Sequence, residues 1–155
     1  VQKSCFVCEK IIKPAVVYDT FSKEAMTFSI EVEAPEKWIA VSPYIVTIGN
    51  VLEEEYNNNK ALFGEYGVQI MSAISSDALD QSKNFVQKLL VSEASDENCE
   101  LSRNIELPKQ YNRDIITYLP VEKINLSLNE EGNFIPASSM AGLYYWIPLK
   151  KRSRK

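Results

Sequence analysis

The chain has 155 residues, of which 45% are hydrophobic and 25% charged, a length and composition suited to one globular domain with its own core. Its net charge of −4 excludes generic polyanion binding, which needs an excess of Lys and Arg to displace counterions from phosphates. The count of histidines is 0, which removes Ser-His and Cys-His nucleophile pairs, imidazole acid–base steps and His-bearing zinc sites.

Taken from the N-terminus, Val1-Gln2-Lys3-Ser4 carries no signal-peptide apolar core, and no apolar run approaches the roughly 20 residues that span a bilayer. An intracellular protein is expected. The start at Val1 and the basic end (Lys150, Lys151, Arg152, Arg154 and Lys155) fit a segment cut from a larger polypeptide. Cys5 and Cys8 form a C-x-x-C, but with only Cys99 besides and no histidine a four-ligand zinc set does not close without carboxylate or intermolecular help. No metal or other cofactor is expected, and the thiols read as structural residues in a reducing compartment.

The clearest strand signal is Met26, Phe28, Ile30 and Val32 alternating with Thr27, Ser29, Glu31 and Glu33, one face buried and one wet. Ala34-Pro35-Glu36-Lys37 reads as a turn, followed by an apolar stretch over residues 38–41, a break at Ser42-Pro43 and a further stretch over 44–48 ended by Gly49-Asn50. These predict an antiparallel meander. Residues 52–62, charged and rich in asparagine, read as weakly extended. The period then becomes helical, with Ala78, Leu79, Ser82, Phe85, Val86, Leu89 and Leu90 on one face of a helix over 75–92. Ser75, Ser76 and Asp77 are expected to cap its start. Residues 93–104 read as a loop, residues 114–119, 123–128 and 143–149 as strands, and Asn129-Glu130-Glu131-Gly132 as a turn. One long helix packed against antiparallel strands predicts an α+β fold.

Catalytic signals are thin. Glu53 to Glu55 and Asp96 with Glu97 lie in polar runs with no apolar wall and read as solvated acids. There is no glycine-rich phosphate loop among the five glycines. Tyr144, Tyr145 and Trp146 are stacking candidates for bases, but strand alternation sends Tyr145 to one face and its neighbours to the other, and core packing is the preferred reading.

Glu65-Tyr66-Gly67-Val68-Gln69-Ile70-Met71 running into Val86-Gln87-Lys88-Leu89-Leu90-Val91-Ser92 resembles the strand-to-helix unit of the cap-binding domain in the polymerase basic protein 2 of influenza-type viruses. A second block is similar to that domain's last strands in order and spacing: Ile124-Asn125-Leu126-Ser127-Leu128, Gly132-Asn133-Phe134-Ile135-Pro136, Met140-Ala141-Gly142-Leu143 and Ile147-Pro148. Residues 25–32 with Gly49-Asn50 resemble its opening hairpin. The likeness covers most of 14–149, and its divergence fits an orthomyxovirus outside the influenza genera, such as a thogotovirus.

The resemblance implies a single non-catalytic domain over 1–155, with a 14–149 core and a 150–155 basic linker, cut from a subunit of a viral RNA-dependent RNA polymerase in the host nucleus. Its partners would be the other polymerase subunits and capped host mRNA, with no membrane, and its role would be cap-snatching transcription. In that family two aromatic rings sandwich the cationic methylated guanine, a carboxylate accepts its N1 and N2 hydrogens, and a lysine donates to O6. Here the sandwiching position falls on Leu62 beside Phe63, the acid on Tyr66, the lysine on Gln81, and the second ring near residues 105–107, with Tyr111 the nearest aromatic. Losing both rings and the acid removes on the order of 4 to 8 kcal/mol, which predicts weak or lost cap affinity. The alternatives are a pocket rebuilt from Phe63, Tyr66 and Gln81, a structural interaction module with no cap role and, ranked last because no acid–base pair or nucleophile stands out, an unrelated host or viral enzyme. Lys150, Lys151 and Arg152 are candidates for RNA-phosphate contacts.

Overall fold

The computed structural model describes residues 12–26 and 34–150. Most of the alternating 26–32 strand, Cys5, Cys8, Lys151 and Arg152 lie outside the described residues. The α+β expectation is met: a curled antiparallel sheet carries one 30-residue helix.

Two long strands form the middle of the sheet. β3 (Ala40–Thr47) and β8 (Ser139–Pro148) pair antiparallel from Ala40↔Trp146 to Thr47↔Ser139. On the outer side of β3 lie β1 (Ala15–Tyr18) and then β2 (Phe21–Ser22), in continuous register. On the outer side of β8 lie β4 (Cys99–Leu101) and β5 (Ile105–Glu106). Between Leu101↔Trp146 and Ile105↔Leu143, three residues oppose two, so the edge bulges. Ser102 holds the bulge: its N–H donates to the Tyr145 carbonyl at 2.8 Å and its hydroxyl accepts from the Tyr145 N–H at 2.9 Å.

β3 runs unbroken through Pro43, where the sequence suggested a break. A proline lacks only its N–H, and Asp19 N–H donates to the Pro43 carbonyl at 3.4 Å, so Pro43 turns that flank toward the interval between β1 and β2. The missing donor falls where the neighbouring strand is already interrupted.

Both faces of the β3–β8 pair are covered. Val41, Ile45, Leu143 and Tyr145 point to one side, into a cluster with Leu107, Ile115, Leu119 and Phe134. Tyr44, Val46, Tyr144 and Trp146 point to the other, against Val86, Leu90 and Ala94 of the helix. Alternation across Tyr144, Tyr145 and Trp146 is as predicted, and all three are buried core rings. The polar groups enclosed with them are paired: Ser42 Oγ accepts from Trp146 Nε1 at 2.7 Å and shares a 2.7 Å hydrogen bond with Thr20 Oγ1, while Ser139 Oγ donates to Thr47 Oγ1 at 2.7 Å.

Residues 52–62 are helical rather than extended, as α1 (Val51–Asn58) and α2 (Lys60–Phe63). Leu52 and Tyr56 are one helical turn apart and pack with Ile48, Met71 and Phe63 in a small separate cluster. The asparagines mark helix ends instead of an edge strand: Asn59 N–H donates to the Glu55 and Tyr56 carbonyls and its amide to the Glu55 carbonyl.

α3 (Gly67–Asp96) begins eight residues before Ser75, and the strand implied over 65–71 is its first turn. Ser76 and Asp77 sit inside it, Asp77 accepting from the Gln81 amide at 2.7 Å. The single predicted face is two. Leu79, Val86, Leu90 and Ala94 pack on the sheet, whereas Phe85 stays 56% exposed on the flank. The helix continues through Asp96, and Cys99–Leu101 then pairs with β8, so residues 93–104 are not a loop throughout. Glu53 to Glu55, Asp96 and Glu97 are exposed, as expected of solvated acids.

The predicted strand over 114–119 is α4 (Asn112–Ile115) followed by turns, with Ile115 and Leu119 buried one helical turn apart. Of the strand predicted over 123–128 only Ser127–Leu128 is extended, as the short β6; before it a 3-10 turn (Val121–Ile124) ends at left-handed Asn125 (φ 53°). β6 pairs with β7 (Phe134–Ile135) across the expected turn, where Gly132 N–H donates to the Asn129 carbonyl at 3.0 Å.

Candidate functional site

The α2–α3 junction carries three of the four cap-pocket positions. Gly67 lets the chain double back there, because a Cβ would lie 2.8 Å from Phe63 Cβ and 2.9 Å from the Tyr56 ring. Phe63 turns inward onto Tyr56, ring centroids 5.3 Å apart at 64°, and is a small-core residue rather than a stacking plate. Leu62 is 81% exposed and Tyr66, the residue preceding α3, is 65% exposed. Tyr66 makes no ring contact among the described residues.

Gln81 does not join them. It lies fifteen residues down α3 from Tyr66, about 22 Å along the helix axis. Its amide is engaged with Asp77. Tyr111 packs against the cluster on the other side of the sheet from α3, beside buried Leu107, and so cannot oppose Tyr66. Lys150 is exposed just beyond the end of β8.

Two concavities lie elsewhere. A groove of about 900 Å³ runs between β1 and the first half of α3, lined by Pro14, Val16, Ile74, Ala78, Gln81 and Phe85 among others. A cleft of about 740 Å³ opens between the start of α1 and the β6–β7 hairpin. Asn50, Glu53, Lys109, Asn129 and Asn133 give it polar walls, and Phe134 and Met140 an apolar floor. It is ordered from within: Asn112 donates to the Gly132 carbonyl at 3.0 Å, and Asn129 Oδ1 accepts from Asn133 N–H at 2.9 Å. The sequence marked Asn129 as a turn residue only. Lys109, twenty residues away in the chain, carries no local signal that would place it on the same cleft.

The ionic chemistry among the described residues is structural. Lys83 bridges Asp80 at 2.8 Å and Glu106 at 2.9 Å, tying α3 to β5. Burial opposes its charge, but the hydrogen bonds to the two carboxylates outweigh this, and its pKa is raised. No group of three or more Cys, Asp or Glu side chains able to hold a metal occurs among the described residues.

Burial also raises the phenols of Tyr44, Tyr144 and Tyr145 above their usual range. For Tyr44 the shift is large and comes chiefly from burial, and its hydroxyl donates to Asn104 Oδ1 at 2.7 Å. The folded state thus holds these protons more tightly than the unfolded chain does. Their stabilisation is complete below about pH 10, where unfolded tyrosine begins to ionise, and declines as pH rises above it. Urea midpoints should therefore fall above about pH 10, and Tyr44→Phe should fall less steeply there than the parent.

Compared with known proteins, the chain matches no family profile and no curated protein.

Proposed function

We propose that this chain is a cap-binding-like domain of an orthomyxovirus-type RNA-dependent RNA polymerase subunit, associated with cap-dependent viral transcription, whose methylguanosine pocket is degenerate. It is a non-catalytic module, partnered by the other polymerase subunits in the host nucleus. The sequence likeness to the family's domain is one support, and a long helix on an antiparallel sheet is the architecture that likeness implies. The observation that carries the degenerate pocket is that Leu62 and Tyr66 stand exposed at the α2–α3 junction with no opposing ring among the described residues, and that Gln81 lies four turns down α3 from Tyr66. Without a sandwich, the cation–π and stacking energy that separates methylated from unmethylated guanine is missing.

Calorimetric titration of the whole chain with 7-methyl-GTP and with GTP tests this. The expected result is millimolar or undetectable binding of both, without preference for the methylated base. Micromolar binding with a methyl preference would overturn the degenerate pocket. Calorimetry is preferable to tryptophan fluorescence, because Trp146 is buried under α3 and Trp38 packs on Tyr145 across the sheet.

One observation favours the second reading, an interaction module with no cap role. Leu62, Tyr66 and Val68 form an exposed apolar run where α2 meets α3. Such a run fits burial against another polymerase subunit. Replacing Leu62 and Tyr66 with serine should weaken subunit association in a pull-down with the assembled polymerase, while the chain's melting temperature stays unchanged.

A further inference from the structure

β1 is an outermost strand of the sheet among the described residues, and its backbone can be assigned group by group. The register Ala15↔Thr47 to Tyr18↔Tyr44 continues to Asp19↔Pro43, where Asp19 N–H donates to Pro43. Bonded pairs alternate in an antiparallel ladder, so residues 15, 17 and 19 bond to β3. Val16 and Tyr18 direct their N–H and C=O groups outward, as an edge able to pair with another strand.

Below this edge runs the groove between β1 and α3. Its helical wall is the flank stripe Ile74, Ala78, Gln81 and Phe85, at spacings of 4, 3 and 4 residues, the pattern of a helix–helix seam. Thus, among the described residues, an open strand edge and a helix flank that ends in exposed Phe85, with Ile74 and Ala78 partly covered by the small cluster of Ile48, Leu52 and Met71, border the same side of the molecule.

We infer that a second copy of this chain occupies this side, pairing β1 antiparallel with its own β1 across a two-fold axis at Val16. The edge is complementary to itself in that register. Val16 meets the partner's Val16, Tyr18 N–H meets the partner's Pro14 carbonyl, and Lys13 lies opposite the partner's Asp19. Pro14 lacks an N–H, so the Tyr18 carbonyl gains no donor across the seam, and the ladder consists of the two bonds exchanged at Val16 and the two from Tyr18 N–H to the Pro14 carbonyls. Lys13 and Asp19 are both exposed, and neither has an ion-pair partner among the described residues. By alternation they share the Val17 face, so the two symmetry-related ion pairs form on the side of the sheet away from α3. On the α3 side the two-fold sets the helices side by side and antiparallel, and the two Phe85 stripes close over the grooves. Four strand residues alone give a weak association; the helix seam supplies the apolar area that a specific dimer needs.

Charge reversal tests the register. Sedimentation velocity of the full chain over a concentration series should reveal a monomer–dimer equilibrium. Lys13→Asp and Asp19→Lys should each weaken it about tenfold or more, since each creates two like-charge contacts, and the double variant should return close to the parent. Phe85→Ser should also weaken it, with an unchanged melting temperature because the ring is already exposed. A chain that remains monomeric at millimolar concentration overturns the inference. A dimer indifferent to both charge reversals, or not rescued by the double variant, overturns it equally.

Discussion

Leu90→Ala is expected to lower the unfolding free energy by about 3 to 5 kcal/mol, at the upper end of the cost of truncating a buried leucine. Leu90 is fully buried, in the cluster where α3 meets Tyr44, Tyr144 and Trp146 of the two central strands. The cavity would lie between a helix fixed at several other points and a sheet packed on both faces, so neither layer can collapse into it. Urea denaturation followed by circular dichroism checks the value. Val91→Ala, one position on and 50% exposed, should stay within about 0.5 kcal/mol of the parent. Equal losses at the two positions would mean that α3 is not packed on the sheet through the Leu90 face.

Gly142→Ala is expected to cost about 1 to 3 kcal/mol or somewhat more, although it adds a single methyl group. A Cβ at position 142 would lie 2.5 Å from the Tyr44 hydroxyl and 2.6 Å from its Cζ. Tyr44 is fully buried, stacks on Tyr144 with centroids 5.8 Å apart, and is tethered to Asn104 through its hydroxyl. The ring therefore has no free space to move into, and relief requires β3 and β8 to separate where Tyr44 faces Gly142. Thermal melting measures the loss. Tyr44→Phe combined with Gly142→Ala should recover part of it, because the nearest clashing atom is gone. Additive losses in the pair would show that the contact with Tyr44 is not the cause.

The layer plan was legible because it rests on long periodic segments. The 3.6-residue period through Leu79, Val86 and Leu90 specifies the helix, and alternation through Tyr144, Tyr145 and Trp146 specifies a central strand. What was not legible was decided by contacts between distant residues. The Glu- and Asn-rich segment after Val51 has the composition of a loop, yet Leu52 and Tyr56 find Met71 and Phe63 and make it helical. Ile115 and Leu119 suit a strand as well as a helix, and only their joint burial under β8 selects the turn.

The candidate site was less legible still. Aligned positions carry no distance information, so Gln81 could be named together with Leu62 and Tyr66 without being near them. Once α3 starts at Gly67, Gln81 is carried four turns away. Phe85 illustrates the same limit on one helix, since spacing alone did not separate the stripe on the sheet from the stripe on the flank.

The double burial of the central strands alters how their pairing is chosen. In a sheet with one wet face, a slip by one residue is penalised because it drives polar side chains inward and apolar ones outward. Here both faces of β3 are apolar, and a slipped alignment would still bury grease on each side. Discrimination passes instead to the few polar atoms enclosed with it. Thr47 reaches Ser139, and Trp146 reaches Ser42, in the observed alignment. A displaced strand would break both hydrogen bonds and leave the buried Trp146 N–H without its acceptor, at roughly 1 to 3 kcal/mol. The hydroxyls of Ser42, Thr47 and Ser139 thus serve as an address code, telling two greasy strands which of several similar alignments to keep.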